Sequence, residues 1–240
     1  MSKKSNIYAM EKMAQQIASA KEAHERSAGR KISHATFLRT LRSSYDISNA
    51  DYQKVRTGRN YSTADFIIAL YETHKISPHK LFFGRDWNLV ANLLSHPNYD
   101  PNVVIRYLLS ASDSCGNTLE SIQNRDASSR PDGFTDSVGF RFEQIREFCG
   151  LNFNQAAKIL GCSYVTVQRN ERNYDDLPTV NYLTLFCEKI IVDGENAPMD
   201  YLLLGGFASL PAPIRGILDD FSFEAQVKML AGAITYLDRL

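Results

Sequence analysis

Two short stretches of the chain carry side chains whose types and spacing suit the edges of nucleic-acid bases. In SYVTVQRNER, residues 163 to 172, Gln168 and Arg169 follow one another. A side-chain amide bonds adenine through an acceptor and a donor, a guanidinium bonds guanine, and Val165 or the Thr166 methyl offers apolar contact to a thymine methyl. In ISNADYQKVRTGRN, residues 47 to 60, Gln53 and Lys54 stand in the same order. Arg56, Arg59, Asn60 and Tyr61 follow at a spacing suited to phosphates beyond a helix end. Enzyme chemistry has no comparable signature: there is no nucleophile elbow, P-loop, dinucleotide-binding glycine pattern or suggestive carboxylate pair. The five histidines and four cysteines show no metal-ligand spacing, so no metal, cofactor or catalytic residue is expected. The histidines are read as solvent-facing or at helix ends, and the cysteines as free thiols within apolar helices.

Such side chains read bases only when a helix presents them. In LNFNQAAKILG, Asn152 is placed to cap a helix running to Leu160, and Gly161 to end it in the left-handed conformation. Ser163 then caps a helix from Tyr164 to about Arg172, after a turn short enough to force two helices to a steep angle. That is a helix-turn-helix, whose second helix lies in the major groove while the first crosses the backbone. Asn152 and Ser163 are also placed to serve phosphates, a role that capping alone makes unnecessary.

The earlier stretch reads as a divergent copy. Residues 33 to 41 supply the supporting helix, the longer connection RSSYDI follows, and Ser48 caps a recognition helix from Asn49 to Thr57. Its candidate base contacts are Asn49, Ala50, Gln53 and Lys54, with Tyr52 and Val55 at core spacing; Asp51 either accepts from a cytosine amine or, the favoured reading, closes a capping box with Ser48. Aligning Ser48 with Ser163 places Gln53 on Gln168 and Lys54 on Arg169. Pro78 and Gly84 then match Pro198 and Gly205, after about six extra residues in the second copy.

On these residues the second copy resembles the Cro/repressor (XRE-type) helix-turn-helix family, through LNFNQAAKILGCSYVTVQRNERN and the closing helix MDYLLLGG. The resemblance implies that Ala157, Leu160, Gly161 and Val167 are structural and that Tyr164, Val165, Thr166, Gln168 and Arg169 face DNA, with Arg172 on the same helix. Three positions depart from the family. Phe153 stands where a phosphate-binding glutamine is usual, Asn170 where an aliphatic residue is expected, and Asn173 where glycine is usual, Asn being the next most tolerant of positive φ.

Apolar residues recur at three and four rather than alternating, so the expected fold is all-α. It divides into two tandem repressor-like helical bundles with connecting and C-terminal helices. Residues 1–85 form the divergent copy, 86–135 a helical connector ending in the flexible linker NRDASSRPDG, 136–206 the second copy, and 207–240 C-terminal helices with an apolar face suited to a homodimer. The chain has 27 Lys+Arg and 27 Asp+Glu, a neutrality that hides a partition. Residues 1–85 carry +8, 86–135 carry −3, 136–175 balance, and 176–240 carry −5. A basic segment holding one candidate recognition helix fits nucleic acid better than the total does. No apolar run approaches a membrane span, and residues 1 to 6 are polar, so a cytoplasmic chain with no membrane partner is expected. The expectation is a bacterial or mobile-element transcriptional regulator binding double-stranded DNA as a homodimer. The alternative is an antitoxin or protein-interaction module, partnered through the acidic C-terminal helices.

Overall fold

The computed structural model describes residues 3–41, 47–57, 63–115, 118–126 and 128–240, with no side-chain detail for residues 3–9 and 51. It is mostly helical and falls into two compact units, Met1–Asp86 with Thr179–Leu185, and Trp87–Pro178 with Phe186–Leu240.

The first unit is built on α1 (Lys3–Ala28), α2 (His34–Leu41), α3 (Asn49–Arg56), α4 (Ala64–His74) and α5 (Pro78–Phe83). Met13, Ile17 and Ala20 make the buried face of α1, which packs on α3 and α5. α2 contributes Phe37, Leu38 and Leu41 to the same core, and α3 contributes Tyr52 and Val55, both as their spacing predicts. Thr63 caps α4 by accepting from the Phe66 amide, and Ser77 caps α5 by accepting from the Lys80 amide. His74 and His79 stand at helix ends, as read, but are packed rather than solvent-facing. His79 is 1% exposed, and His74 stacks on Phe37 at 4.7 Å between ring centres. A neutral imidazole behaves as an amphipathic ring, and these packed positions accept it in that state.

The second unit contains α6 (Asn88–Leu94), α7 (Pro101–Ser112), α8 (Leu119–Asp126), a single 3-10 turn at Phe134–Asp136, α9 (Val138–Phe148), α10 (Phe153–Leu160) and α11 (Tyr164–Arg172). α12 (Val180–Lys189) is shared between the units as divided above. Two short strands follow, β1 (Ile191–Val192) and β2 (Glu195–Asn196), and then α13 (Met199–Leu204), α14 (Ala212–Leu218) and α15 (Phe223–Leu237). The stretches read as connector and C-terminal helices fold into this unit together with the second copy: α15 packs on α6, α7 and α9, and α14 on α7. The apolar face of α15, expected to be available to a second copy of the chain, is buried here, with Phe223, Val227, Leu230, Ala233 and Leu237 inside. Part of the expected flexible linker is also tied down. Residues 124–126 continue α8, and the Arg130 guanidinium forks onto Glu143 at 2.6 and 3.0 Å while lying 4.8 Å from the Phe134 ring centre. An arginine with a bidentate carboxylate and an aromatic face is held in place however polar its neighbours are.

The two helix sets run parallel in order and length. From α2 to α5 the helices span 8, 8, 11 and 6 residues; from α10 to α13 they span 8, 9, 10 and 6. α9 packs on α11 and α13 as α1 does on α3 and α5. Gly84 and Gly205 end the matched short helices in the left-handed region, at φ 75° and 78°. The extra residues of the second copy hold the β1–β2 hairpin, an exception to the all-α expectation. Its turn is Asp193-Gly194, both at positive φ, the sequence signal of a tight hairpin.

Burial holds His79 down to about 4, with the Arg85 charge adding to the effect. Its ordinary value of 6.5 applies in the unfolded chain, which therefore binds the extra proton between those pH values, so acid favours unfolding. Hydrogen exchange of the α5 amides is expected to show this region losing about 3 kcal/mol as pH falls from 6.5 through 4. A His79→Gln chain should show a flatter profile.

Candidate nucleic-acid interface

The α10–α11 pair forms as the sequence requires. Asn152 Oδ1 accepts from the Gln155 amide and Gln155 Oε1 accepts from the Asn152 amide, a complete capping box. Ala156, Ala157 and Leu160 are buried on one face of α10, and Gly161 ends it at φ 66°. Ser163 Oγ accepts from the Thr166 amide at 3.1 Å and lies 2.8 Å from Thr166 Oγ1. Both Asn152 and Ser163 are thus engaged as caps. Only three residues, 161–163, separate the helices.

α11 has two contrasting faces. Val167 and Glu171, one turn apart, are buried. Tyr164 is 41% and Val165 63% exposed, and Arg169 and Arg172 are exposed with them, while Gln168 is partly so. Positions i, i+1, i+4, i+5 and i+8 form one stripe on a helix. Among the described residues, Gln168 and Arg169 make no hydrogen bond or ion pair within the chain. Thr166 is partly covered by its contact with Ser163, and Tyr164 sets its ring edge-on to Phe153 at 5.8 Å. Asn170, in place of an aliphatic residue, is satisfied by donating its Nδ2 to the Thr166 carbonyl at 2.8 Å. Asn173 departs from expectation: its φ is −86° and ψ 98°, extended rather than left-handed. The chain leaves α11 by an ordinary extended step, so no glycine-like residue is required there.

What fixes α11 in place was not singled out in the sequence. Arg146 of α9 donates Nε to Glu171 at 2.8 and 3.0 Å and Nη2 to Glu171 Oε2 at 2.9 Å. Its Nη1 donates to the Leu151 carbonyl at 2.7 Å, and its guanidinium lies 4.4 Å from the Phe153 ring centre. One side chain therefore ties the last turn of α11 to α9, to the α9–α10 connection and to the start of α10. Burial pushes the Glu171 carboxyl up to about 7, against the downward pull of Arg146. Burial also opposes charge on Arg146, yet the carboxylate leaves it above the usual guanidinium range. The two shifts point in opposite senses for the charged pair; two N–H groups making three short contacts with one carboxylate favour the ionised pair at neutral pH and above. Gly139 completes the fit, since a Cβ there would stand 2.6 Å from the Asn173 carbonyl and 2.7 Å from that of Glu171.

On α3 the matching positions Asn49, Ala50, Gln53 and Lys54 are exposed. Arg56 is engaged with its own helix: its Nε and Nη2 donate to the exposed Gln53 Oε1 at 3.1 and 2.6 Å. The connection at 42–46 and the expected phosphate contacts Arg59, Asn60 and Tyr61 lie outside the described residues, as does the Asp51 side chain expected to close a box with Ser48. Seven positions, 42–48, separate α2 from α3, so the first copy lacks the tight turn of the second.

Among the described residues no group of three or more His, Cys, Asp or Glu side chains is arranged to hold a metal ion, and the four cysteines are unpaired. Among the described residues no helix is long and apolar enough to cross a membrane. Compared with models of protein families, with curated proteins and with solved structures, the chain matches none.

Removing one partner of a buried ion pair strands the other charge. Glu171→Ala is expected to destabilise the second unit by about 3 to 5 kcal/mol, read by urea unfolding through Trp87, which is buried in that unit against Phe207. Replacing both residues, as Arg146→Met with Glu171→Leu, should cost markedly less. Gly139→Ala should also destabilise, because the carbonyls it faces are backbone.

Proposed function

We propose that the protein is a sequence-selective double-stranded DNA-binding transcriptional regulator of the bacterial or mobile-element kind, using α10–α11 as a repressor-like helix-turn-helix. The observation that carries this reading is the outward stripe of α11, where the side chains of Arg169, exposed, and Gln168, partly exposed, stand uncommitted among the described residues on a helix clamped from behind by Arg146. An amide and a guanidinium one residue apart, flanked by Val165 and Arg172, offer an adenine contact, a guanine contact, a methyl contact and a phosphate contact within one helix. α2–α3 supports the reading as a second, more basic module, and two modules on one chain raise each other's effective concentration on a composite site. Neutral overall charge keeps non-specific binding modest and leaves selectivity to the base contacts.

A protein partner is the second reading. It is favoured by Ile159, Tyr164 and Val165, large side chains exposed on α10 and α11.

Selection of duplexes from a random pool with the full chain tests both. An enriched motif is expected, and on it Gln168→Ala or Arg169→Ala should each lose about 1 to 3 kcal/mol and relax preference at one position. Failure to enrich any motif, or equal binding by wild type and an Arg169→Ala, Lys54→Ala double variant, would overturn the DNA reading and leave the protein-partner reading.

A further inference from the structure

The two glutamines at matched positions, Gln53 and Gln168, sit in different chemical states. Gln168 has both amide atoms unengaged among the described residues. Gln53 does not: two N–H groups of Arg56 converge on Oε1, occupying both of its lone pairs. The assignment of oxygen to that side follows from chemistry, because a guanidinium has only donors and an amide nitrogen cannot accept from it.

Arg56 is itself held. Its Nη1 lies 3.4 Å from His34 Nε2, and His34 Nδ1 lies 2.9 Å from the hydroxyl of Tyr52, which is 1% exposed in the core. The same donor logic fixes the histidine. Facing a guanidinium, Nε2 must be the acceptor, so the ring proton sits on Nδ1 and is donated to the Tyr52 oxygen. Burial, followed by the Arg56 charge, holds the His34 pKa below its usual value, which keeps the ring neutral as this arrangement needs. The chain Tyr52–His34–Arg56–Gln53 thus runs from the core, through the first residue of α2, to the exposed face of α3.

We infer that Arg56 is a positioning residue that converts Gln53 into a donor-only reader, selecting guanine where the unengaged Gln168 selects adenine. Adenine offers an acceptor and a donor in the major groove and needs both edges of an amide, whereas guanine offers two acceptors, N7 and O6. With Oε1 saturated, Gln53 has only its Nε2 hydrogens to present, beside the remaining hydrogens of Arg56. The inference rests on the DNA reading proposed above, and it gives one residue type two different base preferences in one chain.

The test uses the full chain as wild type, Q53A, R56A and R56K in duplex selection, together with nitrogen NMR of the histidines in the DNA-free protein. Q53A identifies the base position that Gln53 contacts. Wild type is expected to prefer guanine there, and R56A and R56K, neither able to fork onto Oε1, should shift that one position from guanine toward adenine by on the order of tenfold. Preferences elsewhere and the salt slope should be unchanged. In the free protein His34 is expected in the Nδ1–H tautomer, and to lose that preference in R56A. Uniform weakening of all sequences by R56A, with the salt slope reduced by about one, would make Arg56 a phosphate anchor and overturn the inference while leaving the DNA reading intact. An Nε2–H tautomer in the free wild type would also overturn it. Failure of wild type to select any motif would overturn the DNA reading, and this inference with it.

Discussion

The buried pair of Arg146 and Glu171 is the interaction on which the second unit's candidate surface depends. A nine-residue helix such as α11 has little stability of its own and takes its orientation from what it packs against. Val167 supplies apolar burial, but burial is non-directional and would tolerate rotation about the helix axis. The guanidinium fork is directional. By engaging the last turn of α11, the Leu151 carbonyl and the Phe153 ring together, it fixes which residues of α11 turn outward. Gly139 permits the close backbone approach that the fork requires.

Much of the local structure is legible in the sequence because it is set by neighbouring residues. The Asn152 and Ser163 caps, the left-handed Gly161 and Gly205, and the buried faces of α1, α2 and α3 each follow from residues within a turn or two of one another. What the sequence hides depends on distant partners. Arg146 and Glu171 are 25 positions apart and, taken singly, look like ordinary helix-surface charges. Arg130 lies in a stretch whose Ser, Asp, Pro and Gly content suggests a linker, and only its meeting with Glu143 and two phenylalanines gives it a place. His79 is buried by packing that periodicity does not reveal. The Asp-Gly turn was readable in principle, yet its flanking strands are two residues each, too short for alternation to register.

The candidate site divides along the same line. Exposure of positions 164, 165 and 169, partial exposure of 168, and exposure of 49, 50, 53 and 54 follow from helical spacing once the core-facing residues are known. The hydrogen-bonded state of a side chain does not. Gln53 and Gln168 are interchangeable as letters, and their difference comes from Arg56, which forks onto Gln53 Oε1 and is itself met by a histidine 19 residues upstream of Gln53. Arg56 is basic and near a helix end, which suits a phosphate contact, and the spacing alone does not show that two of its N–H groups are held by Gln53 of its own helix.

The β1–β2 hairpin ties the second helix set to the helices around it. In the second copy it occupies the connection between the third and fourth helices of the shared plan, where the first copy has only Lys75, Ile76 and Ser77. Its residues face outward to the added helices: the Asn196 carbonyl accepts from Trp87 Nε1 at 3.1 Å, and Glu195 Oε2 accepts from the Asn88 amide at 2.7 Å, at the start of α6. The hairpin is thereby the fastening point for Trp87 and α6, and through α6 for α15. The attachment lies on a connection that neither α10 nor α11 shares, so the added helices of this unit are held without drawing on either.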